Sequence, residues 1–420
     1  MKMVSEQTKI SNQKSLSKNF VWTFSGNIIY SVCQWFIIVL LAKMGSGHMV
    51  GQYTLGLALT APIYMLLNLQ LRSIQATDPK ASFSFSHYLG MRILTSTLAM
   101  FIIVGIIGFG DYDTQTSMVI LLISISKYIE SIGDVIYGQI QKEERMDQIS
   151  TALILKSILS IFFICISFFI FGSIYGVIIG LISSWLLVLA FYEIPILRKY
   201  THFRPKFSWV DLKSLLKLSF PLGVVMMLIS LNTNIPRYFI EKTSGISALG
   251  YFSAISYIMV AGSTIVNALG QSSTPKLASY FSLSKYDEFR RLMRKLIFLG
   301  VIIGVTGLSI VSLFGKKILT IIYSSDYANY SNVFIIIMLA SSFEFISSFL
   351  GYGITSARHF KIQPIISLGV VITSIVSCYV FSMNWGLTGI AYAITLTSFV
   401  QLLGNVIVMF FIIKSSKRRI

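Results

Sequence analysis

Charged residues are scarce in this 420-residue sequence, and histidine and cysteine are scarcer still. Asp, Glu, Lys and Arg make up 12% of the chain, against roughly 25% in a soluble domain. That deficit excludes an ordinary water-soluble globule. The three cysteines, Cys33, Cys165 and Cys378, stand singly inside apolar runs, so the sequence offers no disulfide framework and no metal-ligand spacing. The four histidines, His48, His87, His202 and His359, fall at or near the ends of apolar runs. No HExxH or GxxxxGK[ST] motif occurs, and no strand–turn–helix context suggests a nucleotide fold. Chemistry built on a metal, a bound nucleotide or a nucleophile–base pair is not signalled, and the reading is of a protein that is not an enzyme.

What the sequence has instead is oil. Hydrophobic residues are 55% of the chain, and the mean hydropathy is +0.75. They come in blocks of about twenty, the length a helix needs to cross about 30 Å of hydrocarbon. A transmembrane barrel would alternate polar and apolar residues in segments of about ten, and these blocks do not. The expectation is an all-α integral membrane protein with twelve spans, at 20–42, 49–71, 88–109, 117–138, 152–171, 174–192, 214–239, 247–270, 292–313, 330–352, 362–382 and 387–411.

The formal charge of +18 is explained by topology rather than by nucleic acid. With the amino terminus in the cytoplasm, Lys43, Lys242, Lys316 and Lys317 fall outside, and Lys127 and Arg237 fall within spans. The rest of the 34 Lys and Arg lie in or beside cytoplasmic segments. This positive-inside asymmetry places both termini in the cytoplasm, with the basic segments against anionic lipid headgroups. The polar tail before the first span has no small-residue cleavage site, so it does not read as a signal peptide.

The longest polar interruption, "RKYTHFRPKFSWVDLK", divides the spans six and six. The expected organisation is an amino-terminal lobe over 1–197, a cytoplasmic linker over 198–213 and a carboxy-terminal lobe over 214–420. A faint repeat at a separation of 199 residues pairs Lys43 with Lys242, Gly51 with Gly250, Asn68 with Asn267 and Ser31 with Ser230. Six spans per half give both halves the same orientation, as in transporters whose bundles rock about a shared cavity.

Polar residues inside the spans mark the candidate site. In "LLISISKYIESIGDVIYG", Lys127, Glu130 and Asp134 fall within roughly a 60° arc of one helix. A lysine at mid-membrane costs at least about 2.5–3.5 kcal/mol, so a hydrated, protein-lined cavity is the cheaper surrounding. Lys127 would meet an anionic substrate there, with Glu130 as partner. A purely structural Lys–Glu pair between helices is the competing reading. In "LISLNTNIPRYFIEK", Asn234, Arg237 and Glu241 share a face, and Pro236 should bend the helix as a hinge. Glu344 is the one acid of span ten and a candidate proton or sodium site, or a neutral acid bonded across to another helix. Arg72 and Arg92, at the cytoplasmic ends of spans two and three, could meet a phosphate or serve topology alone. Trp22, Trp185, Trp209 and Trp385 read as interfacial belt residues. Trp35 and Gln34 lie deeper in span one, with stacking on a sugar and apolar packing both open to Trp35.

The stretches "NFVWTFSGNIIYSVCQWFIIVLLAKMGSGHMVGQYTLGLAL", "KLSFPLGVVMMLISLNTNIPRYFIEKTSGISALGYFSAISYI" and "LGQSSTPKLASYFSLSKYDEFRRLMRK" resemble the multidrug/oligosaccharidyl-lipid/polysaccharide (MOP) exporter superfamily. "IYGQIQKEERMDQIS" and "GYGITSARHFKIQPI" fit as well. Within the superfamily the chain resembles the polysaccharide transporter branch and its Wzx-type O-antigen flippases. The resemblance implies a V-shaped, MATE-like pair of six-helix lobes in a bacterial inner membrane. It implies alternating-access translocation of an undecaprenyl-pyrophosphate-linked oligosaccharide, an O-antigen repeat unit, from the cytoplasmic to the periplasmic leaflet. Other polysaccharide-assembly membrane proteins are candidate partners, and no cofactor is implied beyond a coupling Na+ or H+. The cationic role carries to Lys127 and Arg237, and more weakly to Arg72. Span one has no charged residue, unlike some relatives, which shifts contacts there to Asn27, Gln34 and Trp35. Glu130, Asp134 and Glu344 are the coupling candidates. A cation-coupled drug or metabolite exporter of the same superfamily stays open, as does, from another class, a membrane glycan polymerase or ligase. The latter normally needs a larger outer loop than this sequence has.

Overall fold

The computed structural model describes residues 16–78, 82–359 and 362–417, and these are helical almost throughout. The expectations placed on the amino-terminal tail before Leu16 lie outside the described residues. The helices are α1 (Leu16–Met44), α2 (Gly47–Leu67), α3 (Leu71–Ala76), α4 (Phe85–Phe109), α5 (Thr114–Lys142), α6 (Met146–Phe171), α7 (Ile174–Val188) and α8 (Ile194–Leu197). They continue with α9 (Trp209–Ser282), α10 (Tyr286–Ile322), α11 (Ser325–Ala328), α12 (Ser331–Ser356) and α13 (Gln363–Lys417). A π-helical turn, Leu189–Glu193, joins α7 to α8. Large apolar side chains such as Phe101, Phe109, Phe169 and Leu313 are exposed, which a membrane-facing surface accounts for.

Among the described residues nine helices are long and apolar enough to cross a membrane, where the sequence suggests twelve spans. Much of the difference has a local cause. The expected seventh and eighth spans lie in the single run α9, and the eleventh and twelfth in α13. In each run two helical stretches meet at one glycine out of helical geometry, Gly245 (φ 85°, ψ 172°) and Gly386 (φ 53°, ψ −130°). Such positive φ values suit a residue without Cβ. The reversals are therefore shorter than loops of ordinary composition.

The chain forms two compact units, the described part of Met1–Leu40 with Leu55–Leu231, and Leu41–Thr54 with Asn232–Ile420. The first unit packs around Leu71, Tyr88, Leu89, Val135, Ile136, Leu197 and Leu215, buried side chains that α3, α4, α5, α8 and α9 contribute to one apolar core. In it α6 and α7 approach closely because Gly176 and Gly180 lie on the Ser167 and Phe163 carbonyls. In the second unit α10 presents a GxxxG pair, Gly300 and Gly304, to Phe349 and Ser342 of α12. Small residues of this kind let membrane helices touch backbone to backbone. The same device joins α2 to α9: Gly51 sits on the Ile246 carbonyl and Gly250 on that of Gly47. Gly51 and Gly250 are the glycines that the internal repeat pairs.

Candidate functional site

In the first unit α2 stops short of α3 through two non-glycine residues in the left-handed region, Leu69 (φ 53°) and Gln70 (φ 51°). Such conformations cost of order 1–3 kcal/mol each and gather at functional sites. The break turns Asn68, Gln70 and Arg72 towards a cavity of about 500 Å³. Asn27 and Tyr30 of α1, Tyr64 of α2 and the α5 face formed by Lys127, Glu130, Ser131 and Asp134 line it too.

The charges in this cavity are arranged in pairs. Lys127 Nζ donates to Glu130 Oε2 at 2.7 Å, and both side chains remain partly exposed. The Tyr30 hydroxyl lies 3.5 Å from Glu130 Oε1. Asp134 faces two guanidiniums: Arg92 Nη2 donates to it at 2.8 Å, and Arg72 Nη1 lies 3.7 Å away. Arg72 is further held by Gln141, whose Oε1 accepts from Nε at 3.0 Å, and by the Tyr137 ring, 5.5 Å from its Cζ. Arg92 is fully buried, with Nη1 donating to the Asn68 side-chain oxygen, which Ser131 Oγ also engages at 2.9 Å. Three cations thus stand against two carboxylates, leaving this cluster one positive charge in excess.

A second charged cluster lies behind the wall, and sequence reasoning missed it. Lys156 of α6 and Glu193 of the π-turn form a buried pair at 2.6 Å, and the Tyr137 hydroxyl donates to the same Glu193 oxygen at 2.5 Å. Trp185 is buried rather than interfacial, donating to Ser160 Oγ at 3.1 Å. The burial follows from its place among α6 and α7 hydroxyls, with the Lys127 and Lys156 ammoniums 6.0 and 5.8 Å from its ring centre. As sequence, Lys156 and Glu193 sit at span ends, where topology already accounts for charge. The available signal was Pro195: it offers no N–H to the Phe191 carbonyl and crowds it, a known cause of local helix widening.

The second unit has its own cavity, of about 440 Å³. Pro236, Arg237 and Glu344 line it with Ser256, Ser341 and Gln401. Arg237 Nη1 donates to Asn234 Oδ1 at 3.0 Å, and Asn234 itself is buried off the lining. Around Pro236 the dihedrals stay helical; the non-helical residue of α9 is Gly245. Of the sequence candidates, then, Lys127, Glu130, Asp134, Arg72 and Asn27 share one cavity, and Arg237, Pro236 and Glu344 share the other. Gln34 and Trp35 of α1 line neither. Among the described residues no group of three or more His, Cys, Asp or Glu is placed to hold a metal ion.

Comparison with known proteins agrees with this architecture. CapF of Staphylococcus aureus, a capsular polysaccharide biosynthesis protein, is 29% identical over 390 residues, 92% of this chain and 97% of its own. The fold is similar to an inward-facing multidrug resistance MATE family transporter of the MOP superfamily, with a TM-score of 0.76, 12% identity and 93% and 96% of the two chains covered. It is similar also to the lipid II flippase MurJ in an inward closed conformation, with a TM-score of 0.71, 16% identity and 94% and 90% covered. Residues 16–281, well over half of the chain, match the model of the polysaccharide biosynthesis protein family, and the protein belongs to that family, with a multi-spanning fold like that of the two transporters.

Proposed function

We propose that the protein is a flippase that carries a polyprenyl-pyrophosphate-linked oligosaccharide across a bacterial cytoplasmic membrane by alternating access. The observation that carries this reading is the cation-rich cavity of the first unit, with Lys127 and Arg72 on its wall and Arg92 behind it. A pyrophosphate bearing sugars cannot enter hydrocarbon unaided, while its polyprenyl tail has no reason to leave it. Partly exposed cations that already hold carboxylates suit transient binding: a phosphate oxygen competes with Glu130 for Lys127 by charge-assisted hydrogen bonds. Glu130, released from its counter-ion, is then available to take a proton. That makes Glu130 the leading coupling candidate of this unit; Asp134 keeps Arg92 whether or not Arg72 moves. In the second unit Arg237, beside the hydroxyls of Ser256 and Ser341, is a further candidate contact for an anionic head group, and Glu344 is a second coupling candidate for H+ or Na+.

Counting each half of α9 and α13 separately, with the charged helix α5 as a further span, gives the twelve spans we infer; that even number puts both termini on one face, and the positive-inside asymmetry of the sequence favours the cytoplasmic one. Among surface glycans, an O-antigen unit rests on family resemblance alone, while the capsular relative supports a capsular precursor. Deleting the gene and analysing lipid extracts by mass spectrometry is the test. The expected result is accumulation of an undecaprenyl-pyrophosphate-linked oligosaccharide and loss of the matching surface polymer. An unchanged lipid-linked glycan pool with an intact surface would remove this assignment.

A further inference from the structure

The Lys156–Glu193 pair is 4% and 0% exposed and does not line the cavity, yet charge buried in a membrane protein is expensive. Its layout is specific. Both partners of Glu193 use one oxygen: Lys156 Nζ at 2.6 Å and the Tyr137 hydroxyl at 2.5 Å share Oε1, whereas the buried Oε2 has no hydrogen-bond partner. The space is kept open from α5 by Gly133, where a Cβ would come within 2.8 Å of Oε2 and 3.0 Å of Lys156 Nζ. The π-turn before Pro195 is what brings Glu193 inward while Phe191, two residues earlier, faces out at 77% exposure. Tyr137 connects this cluster to the cavity. Its hydroxyl is tied to Glu193, its side chain lines the cavity, and the ring lies within cation–π reach of both Arg72 (5.5 Å) and Lys156 (5.2 Å), inside the ≈ 6 Å over which such contacts act.

We propose that Glu193 is a positioning residue for the anion site: by accepting the Tyr137 hydroxyl it fixes the ring that holds the Arg72 guanidinium on the cavity wall. Lys156 neutralises the buried carboxylate that this acceptor requires. The inference rests on the reading of the first cavity as a pyrophosphate site. It separates the acceptor's role from that of the ion pair, because an amide oxygen can hold Tyr137 without any charge. The unpartnered Oε2 is where the amide nitrogen of glutamine would sit, so no existing hydrogen bond is lost there.

The test uses the full chain in lipid nanodiscs, with undecaprenyl pyrophosphate as the probe and thermal unfolding followed in parallel. Tyr137→Phe, and the paired change Lys156→Met with Glu193→Leu, are each expected to weaken binding about ten-fold, as for loss of one well-placed contact. Lys156→Met with Glu193→Gln is expected to restore affinity to within about two-fold of the unchanged protein, as a retained acceptor requires. Equal weakening in the Leu and Gln pairs would overturn the proposal by assigning the effect to the lost charges. Unchanged affinity in Tyr137→Phe would overturn it too, and that variant carries the test if the Leu pair fails to fold. If the unchanged protein does not bind the probe, the pyrophosphate reading itself falls, and this inference with it.

Discussion

Replacing Arg92 with methionine is expected to destabilise the folded protein by about 1.5–3 kcal/mol, the range for a lost hydrogen bond to a charged group, because Asp134 is itself 30% exposed. The guanidinium is fully buried and is the short, 2.8 Å partner of Asp134. Its other nitrogen holds the Asn68 side chain at the break between α2 and α3. Without it, Asp134 keeps only Arg72 at 3.7 Å, and the left-handed pair Leu69–Gln70 loses a tether. Thermal unfolding in detergent checks this. A drop of several degrees is expected, with partial recovery when Asp134→Asn is added, since the carboxylate that Arg92 held is then gone and the partly exposed Arg72 keeps Gln141. An Arg92→Met protein as stable as the unchanged one would show that the guanidinium is no strut.

The second large effect is expected at Lys127, and it has the opposite signature. Its side chain and that of Glu130 are 25% and 38% exposed, so removing it leaves no dry unpaired charge. Lys127→Ala should fold normally. A hydrogen bond to a charged group contributes about 1.5–3 kcal/mol, so affinity for undecaprenyl pyrophosphate should fall roughly ten- to a hundred-fold, and surface polysaccharide with it. Lys127→Arg should retain most of the function. Full surface polymer in cells expressing Lys127→Ala at normal levels would take the lysine out of the binding site. Arg92 and Lys127 sit on neighbouring helices of one unit, so one pair of experiments distinguishes what holds the cavity from what acts in it.

Sequence reasoning reached Lys127, Glu130 and Asp134 because the helical repeat alone puts them on one face, and mid-span charge has few structural explanations. It reached the reversals near Gly245 and Gly386 because short breaks separate the apolar runs at both places. It could not see Arg92, Lys156 or Glu193 as buried. Each sits near a span end, where the positive-inside rule or interfacial solvation explains a charge, and burial there depends on which helix packs against it. The break at Leu69–Gln70 was equally hidden, since neither residue is glycine or proline and the conformation is imposed from outside. Trp185 reads as interfacial from its position near a span end, but its α6 and α7 neighbours bury it. Gln34 and Trp35 lie deep in span one, but depth does not specify facing, and neither lies on a cavity wall.

The most direct test is leaflet exchange by the purified full chain. Proteoliposomes would carry a fluorescent undecaprenyl-pyrophosphate-linked oligosaccharide, with a membrane-impermeant quencher added outside. The unchanged protein is expected to render inner-leaflet label quenchable over time, and the Lys127→Ala, Arg237→Ala double variant to leave it protected as in protein-free vesicles. Label that stays protected with the unchanged, folded protein, or that is exposed equally fast by the double variant, would contradict a cationic path for the lipid-linked head group.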